Sequence, residues 1–324
     1  MLPELCIFGA EHCLHVTSSH ATSALVYFAA MGYTITTSVH RSRNLHEHGH
    51  DTYLVPARRL RWFPTLLTGA FACRSAWFIL VDVHAFENLA GKDTYVHWYI
   101  HNPVFNMDLN LFPLGVALWE HLATLLYVSA FTILLQFWDD MCDVTAASFH
   151  ATRWQRQHTS RSSYVVMINV WMYLAEFFLL SIETLWSSAN VKVLNDVRDM
   201  FESLFFFALA CLLIRSAFRL RRDLVAFEMS PLAHRLGDRI WFVGWFCGIW
   251  FVFKSWIGLY LVAFPTQPVD PWILYTMPEV VPALVVLLTM RVQPPLAAAD
   301  ERKPLLPHHI QSRAPPFGTT TLSI

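Results

Sequence analysis

The chain has 324 residues, 55% of them in the hydrophobic set and only 15% charged, with a formal net charge of -1. A soluble domain carries about a quarter charged residues, so the deficit points to lipid as the solvent, and near-neutrality removes nucleic acid or an acidic polymer as the partner that charge would select. Six cysteines, Cys6, Cys13, Cys73, Cys142, Cys211 and Cys247, include no CxxC pair, which disfavours a zinc or redox centre built from thiolates.

The first twenty residues lack Lys and Arg, so they do not offer the positively charged start of a cleavable signal peptide. Insertion is expected to be driven by the first membrane helix. Crossing about 30 Å of hydrocarbon at about 1.5 Å per residue takes roughly 20 apolar residues. Seven windows qualify: 21–39, 62–84, 111–138, 163–186, 199–218, 240–264 and 271–290. The first is the weakest, because Thr22, Thr34, Thr36 and Thr37 dilute it. The sixth contains Lys254, but its thirteen Ile, Phe, Val and Leu residues contribute about 4 to 8 kcal/mol towards insertion. A central lysine costs about 3 kcal/mol, so this window inserts.

Lys and Arg between the windows set the direction, since cytoplasmic connections retain them. One set of alternate connections holds Arg41, Arg43, Arg58, Arg59 and Arg61, then Arg153, Arg156 and Arg161, then Arg219, Arg221, Arg222, Arg235 and Arg239, with Arg291, Arg302, Lys303 and Arg313 in the tail. The other set holds Lys92, Lys192 and Arg198. The expected fold is an all-α, polytopic bundle of seven transmembrane helices with the N-terminus lumenal or extracellular and the C-terminus cytoplasmic. Its divisions are a short lumenal segment 1–20, the helical domain 21–290 and a disordered tail 291–324. On this topology Cys6 and Cys13 face an oxidising lumen. His12, His15, His20, His84, His97 and His101 lie on the same side, where an acidic compartment would protonate them together.

Ionisable side chains inside spans are costly and turn towards one another or towards a wet cavity. Position converts to a depth of about 12 to 15 Å below the lumenal edge for Arg74, Glu120, Glu176, Lys254 and Glu279, on five different helices. Two roles stay open: a buried charged network that pairs and orders the helices, or a polar cavity for an ion or ligand. Pro278 and Pro282 flank Glu279 and free backbone carbonyls beside it. Gly244 and Gly248 form a GxxxG spacing that permits close helix contact, within the chain or in a homo-oligomer.

Catalytic patterns are missing: no HExxH, GxSxG, P-loop or GxGxxG stands in a workable position, so an enzyme is not expected, and neither is a cofactor. His46, His48 and His50 in HEHGHD are weak candidate zinc ligands, and a solvated polar loop accounts for them better, since no cysteine or rigid helix supports a site there. The tail is rich in Pro and poor in large apolar residues, hence expected to be disordered. Within it Glu301, Leu305 and Leu306 in ERKPLL match the acidic dileucine pattern of sorting signals read by cytosolic adaptors.

Several segments together resemble the seven-helix family of plant tobamovirus multiplication proteins, whose animal relatives are orphan-receptor-like lysosomal membrane proteins. These are YVSAFTILLQFWDD, INVWMYLAE, LLIRSAFRLRRDL and YTMPEVVPALVVLLTMR, with Arg74 in the second window. The resemblance covers roughly residues 20–295, with 85–110 poorly matched; Lys254 stands where that family's pattern has Arg, keeping the charge but losing the planar fork. It implies a vacuolar or lysosomal multi-pass scaffold for cytosolic partners, including small GTPases and, in plants, viral replication proteins. A rhodopsin-like receptor is disfavoured by FWDD and MPEVVPALVV where DRY-type and NPxxY-type sequences would stand. The alternative to a scaffold is a receptor or an ion or small-molecule transporter using the buried charges.

Overall fold

The computed structural model describes residues 4–6, 13–15, 18–47, 61–87, 114–147, 158–185, 191–226, 231–264 and 270–289. Its helices are α1 (Ser18–Glu47), α2 (Trp62–Glu87), α3 (Leu114–Ala147), α4 (His158–Leu185), α5 (Val191–Ala226), α6 (Pro231–Ala263) and α7 (Met277–Thr289). A π-helical turn, Trp272–Thr276, leads into α7. One departure from an all-α chain is a small antiparallel ribbon, β1 (Glu4–Cys6) against β2 (Cys13–His15), whose register sets Cys6 opposite Cys13.

Among the described residues, five stretches are long and apolar enough to cross a membrane: Trp62–Val81, Leu118–Cys142, Asp196–Asp223, Gly237–Ala263 and Trp272–Thr289. The chain is therefore a multi-pass helical membrane protein. In α4 the apolar stretch is the shorter Met167–Ile182, and α1 carries its threonines in the helix itself. Their hydroxyls bond back to the preceding turn, Thr34 to the Met31 carbonyl at 2.7 Å, Thr36 to Tyr33 at 2.9 Å and Thr37 to Thr34 at 2.9 Å. Such back-bonding gives each hydroxyl a partner away from water. Thr34 also meets Thr68 of α2 at 2.8 Å.

The helices follow chain order around the bundle, with α3 reaching across to α5 and α7 returning to α1. That return is polar: the Trp272 indole donates to Thr22 at 3.1 Å and Thr276 to Ser23 at 3.0 Å. In the centre Phe131 stands edge-on to Phe251 and Phe63 and tilts against Tyr127. The exterior is also apolar, with Trp171, Phe178, Ile249 and Trp256 more than half exposed, as expected where lipid rather than water is the outer phase.

Helices α5 and α6 make the most intimate pair, and glycine allows it. A Cβ on Gly244 would collide with the Cβ of Ala217, one on Gly248 would lie 2.5 Å from Ile214 Cγ1, and one on Gly258 would collide with the Ser203 hydroxyl. The GxxxG face is thus occupied within the chain. Arg198 also needs moving: expected in a connection, it lies inside α5 and is buried. Its charge and those of Lys192, Asp196 and Asp199 depress local hydropathy, which is why the helix begins earlier than the 199–218 window.

Gly244→Leu is expected to destabilise the detergent-solubilised protein by about 1–3 kcal/mol or more through overpacking. Gly32, with no neighbouring atom within 4 Å of an added Cβ, serves as the reference: Gly32→Ala is expected to be neutral or to stabilise by about 0.5–1 kcal/mol. Intrinsic tryptophan fluorescence during denaturant unfolding measures both.

Candidate functional site: a saturated carboxylate among five helices

Glu279 lies in the first turn of α7, beneath the proline pair, with its side chain 2% exposed. Oε1 accepts from Arg74 Nη2 at 2.8 Å and from Lys254 Nζ at 2.5 Å; Oε2 accepts from Arg74 Nε at 3.2 Å and from the Tyr27 hydroxyl at 2.9 Å. A carboxylate offers about four lone-pair positions, and all are used. The donors come from α1, α2 and α6, so one side chain of the last helix ties three others. Arg74 Nη2 also donates to Thr124 of α3 at 2.9 Å, which brings in a fifth helix.

The two cations sit among aromatic faces. The Arg74 guanidinium lies 4.4 Å over the Tyr275 ring and 5.6 Å from that of Trp77, and Lys254 Nζ lies 4.5 Å from the Phe206 ring of α5. Ring quadrupoles supply attraction where no further hydrogen-bond acceptor is available. Arginine provides the two-point fork to Glu279, whereas the lysine makes a single short contact, so an ammonium meets the geometry at that corner.

Proline makes room for a further tie. Pro282 has no N–H with which to bond the carbonyl one turn back, and that carbonyl, of Pro278, instead accepts from the Tyr127 hydroxyl at 3.2 Å. The Pro282 carbonyl in turn faces Cys247 Sγ at 3.8 Å. Helix α7 is therefore stitched to α3 and α6 through two of its backbone carbonyls.

Of the five charged residues expected at one depth, Arg74, Lys254 and Glu279 are in direct contact. Glu120 is one step out, accepting from the Tyr275 hydroxyl at 2.6 Å while that ring stacks on Arg74. Glu176 does not join them: it lies in a neighbouring cluster, with Oε2 3.5 Å from His121 Nδ1 and 3.5 Å from Arg198 Nε. Equal depth on different helices does not imply contact, because α4 packs on the outside of α3 and α5. Tyr27, Thr124, Tyr127 and Tyr275 were not singled out from the sequence; isolated hydroxyls in apolar helices carry no periodic signal. His20, expected on a protonatable lumenal surface, is buried against Phe78. The sorting-motif residues Glu301, Leu305 and Leu306, with His48 and His50, lie outside the described residues, as does the side chain of His46.

Removing one partner of a buried ion pair strands the other charge. Glu279→Gln is expected to cost about 3–5 kcal/mol, and Lys254→Met added to it should recover part of that loss. Tyr27→Phe, which deletes a single hydrogen bond to a charged acceptor, should cost about 1.5–3 kcal/mol. Denaturant titration of the single and double variants measures the coupling; strictly additive losses would contradict the shared-carboxylate geometry.

The chain matches no family model, no curated protein and no solved structure.

Proposed function

We propose that the chain is a non-enzymatic integral membrane scaffold of an endolysosomal or vacuolar membrane, crossing seven times with its N-terminus lumenal and its tail cytosolic, and recruiting soluble partners such as small GTPases. The observation that carries this reading is the saturation of Glu279. Every lone pair of the central carboxylate is engaged by the chain itself, which makes the middle of the bundle a lock between helices rather than a seat for a solute. Function then falls to the surfaces that the helices present outside the lipid.

Two further features support it. Helices α1 and α4 pack in the same bundle as the five apolar spans, and counting them makes seven. The arginines at 41, 43, 219, 221, 222, 235 and 239 all fall on helix ends of α1, α5 and α6. They lie at ends that alternate spans bring to one side, which the positive-inside tendency assigns to the cytosol. Resemblance to the tobamovirus multiplication family supplies the expected compartment and the kind of partner.

Proximity labelling from a C-terminal tag in the native cell is the direct test: small GTPases and other cytosolic proteins of endolysosomal or vacuolar membranes should dominate, and a label confined to lumenal or mitochondrial proteins would reject the reading. Leu305→Ala with Leu306→Ala should redirect the protein to another membrane; unaltered localisation would remove the sorting role.

A second reading, an ion or small-molecule transporter or a receptor, is favoured by one observation: a cavity between α3, α4 and α5 bordered by His121, Glu176 and Glu202. Loss of a measured flux on Glu176→Gln, with the fold retained, would support it over the scaffold.

A further inference from the structure

We propose that His121, Glu176 and Glu202 form a binding site for one divalent first-row cation, Zn2+ or Mn2+, inside the helical bundle. The three residues come from α3, α4 and α5, and one ligand atom from each lies within 4.8 Å of the others. They border a small cavity of about 10 Å³, room for a single ion or water, whose remaining wall includes Leu125, Val128, Met172 and Phe206. The site therefore has a convergent donor set, space between the donors and a low-dielectric wall that strengthens ion–ligand attraction.

Geometry is close to what coordination requires. Metal–ligand bonds of about 2.0–2.2 Å place neighbouring ligand atoms about 3.2–3.4 Å apart. His121 Nδ1 and Glu176 Oε2 already stand at 3.5 Å. Glu202 has to close by up to about 1.5 Å on the same criterion, and it is half-buried, with three side-chain torsions to do so.

His121 is the second, independent sign of a ligand. It is more than nine-tenths buried, and its Nδ1 makes no hydrogen bond among the described residues while facing Glu176. A buried imidazole nitrogen without a hydrogen bond is unfavourable, and a metal bond at the same atom would reverse that.

Charge gives the same direction. Among the described residues, the carboxylates of Glu120, Glu176, Glu202 and Glu279, with Asp199 beside Glu202, stand near three cations, Arg74, Arg198 and Lys254. Glu279 takes the hydrogen bonds of Arg74 and Lys254, which act on Glu202 through space only, while Arg198 lies against Glu176 and also near Glu202. Burying excess negative charge is unfavourable, and a dipositive ion held by two carboxylates and a neutral imidazole offsets it. Arg198 need not be displaced: a carboxylate oxygen can accept from a guanidinium and ligate a metal through another lone pair, an outer partner that orients the ligand. The mixed nitrogen and oxygen set selects a borderline cation over Ca2+ or Mg2+, which take oxygen alone.

The test uses the full chain in detergent micelles, stripped with a chelator, desalted and reloaded with ZnCl2 or MnCl2. Bound metal is read by mass spectrometry and stability by the melting temperature. About one equivalent of one metal should be retained with a raised melting temperature, and His121→Ala and Glu202→Gln should each weaken binding by about tenfold or more. The variant carrying Ala at His46, His48 and His50 should bind as the parent does. Should His121→Ala fail to fold, Glu202→Gln, at the half-buried edge, carries the comparison. The proposal is overturned if the parent neither retains nor is stabilised by either metal, or if binding survives Glu202→Gln and is lost with the three loop histidines.

Discussion

A single ionised carboxylate in a medium that cannot solvate it is the constraint on which the rest of this bundle depends. Taken alone, a buried Glu279 would be prohibitively unfavourable, and the chain meets it with two cations and a phenol placed so that no lone pair is left over. Each donor must approach from its own side. That requirement dictates which helices surround α7 and at what rotation, because a turn of about 100° on any of them would withdraw its donor. Apolar packing, by contrast, is permissive in lipid, where one leucine face suits another almost as well as it suits acyl chains. Specificity of arrangement therefore resides in the polar layer, and the aromatic rings of Tyr275, Trp77 and Phe206 complete it by seating the cations.

Around that layer the fold uses irregular backbone deliberately. The π-turn at Trp272–Thr276 and the prolines of α7 leave carbonyls that Tyr127 and Cys247 reach from α3 and α6. Helix α3 is the common wall: Thr124 braces Arg74 and also borders the cavity on the far side, while the adjacent Glu120 and His121 turn to opposite clusters. Two charged assemblies thus share one partition, and on the closely packed pair α5 and α6 Glu202 also interacts electrostatically with Lys254.

How much of this was legible depended on whether the relevant variable runs along the chain or around it. Depth runs along it, so Arg74, Lys254 and Glu279 could be placed at one level from position alone. Azimuth and helix order do not, and Glu176 was therefore grouped with residues it does not touch. Arg198 was misplaced for another reason: hydropathy averages penalise a charged residue at a helix start even when, as here, it is buried against Glu176. Small residues told only half their story, since Gly244 and Gly248 announce a close approach without naming the partner, which is α5. The hydroxyls of Tyr27, Tyr127 and Tyr275 were invisible because a tyrosine in an apolar helix is chemically ordinary until its neighbours are known.

The position of Glu279 in the final helix has a consequence for biogenesis. Synthesis runs from the N-terminus, so Arg74 and Lys254 enter the membrane before the ribosome has produced the residue that neutralises them. For most of translation after α2 the nascent bundle carries Arg74 at hydrocarbon depth without its carboxylate, and Lys254 joins it only shortly before Glu279 is made, both held meanwhile by the insertion machinery or by the aromatic rings. Folding is then completed by a terminal event, the arrival of α7, and a chain truncated ahead of it is distinguishable to cellular surveillance by charge rather than by exposed apolar surface.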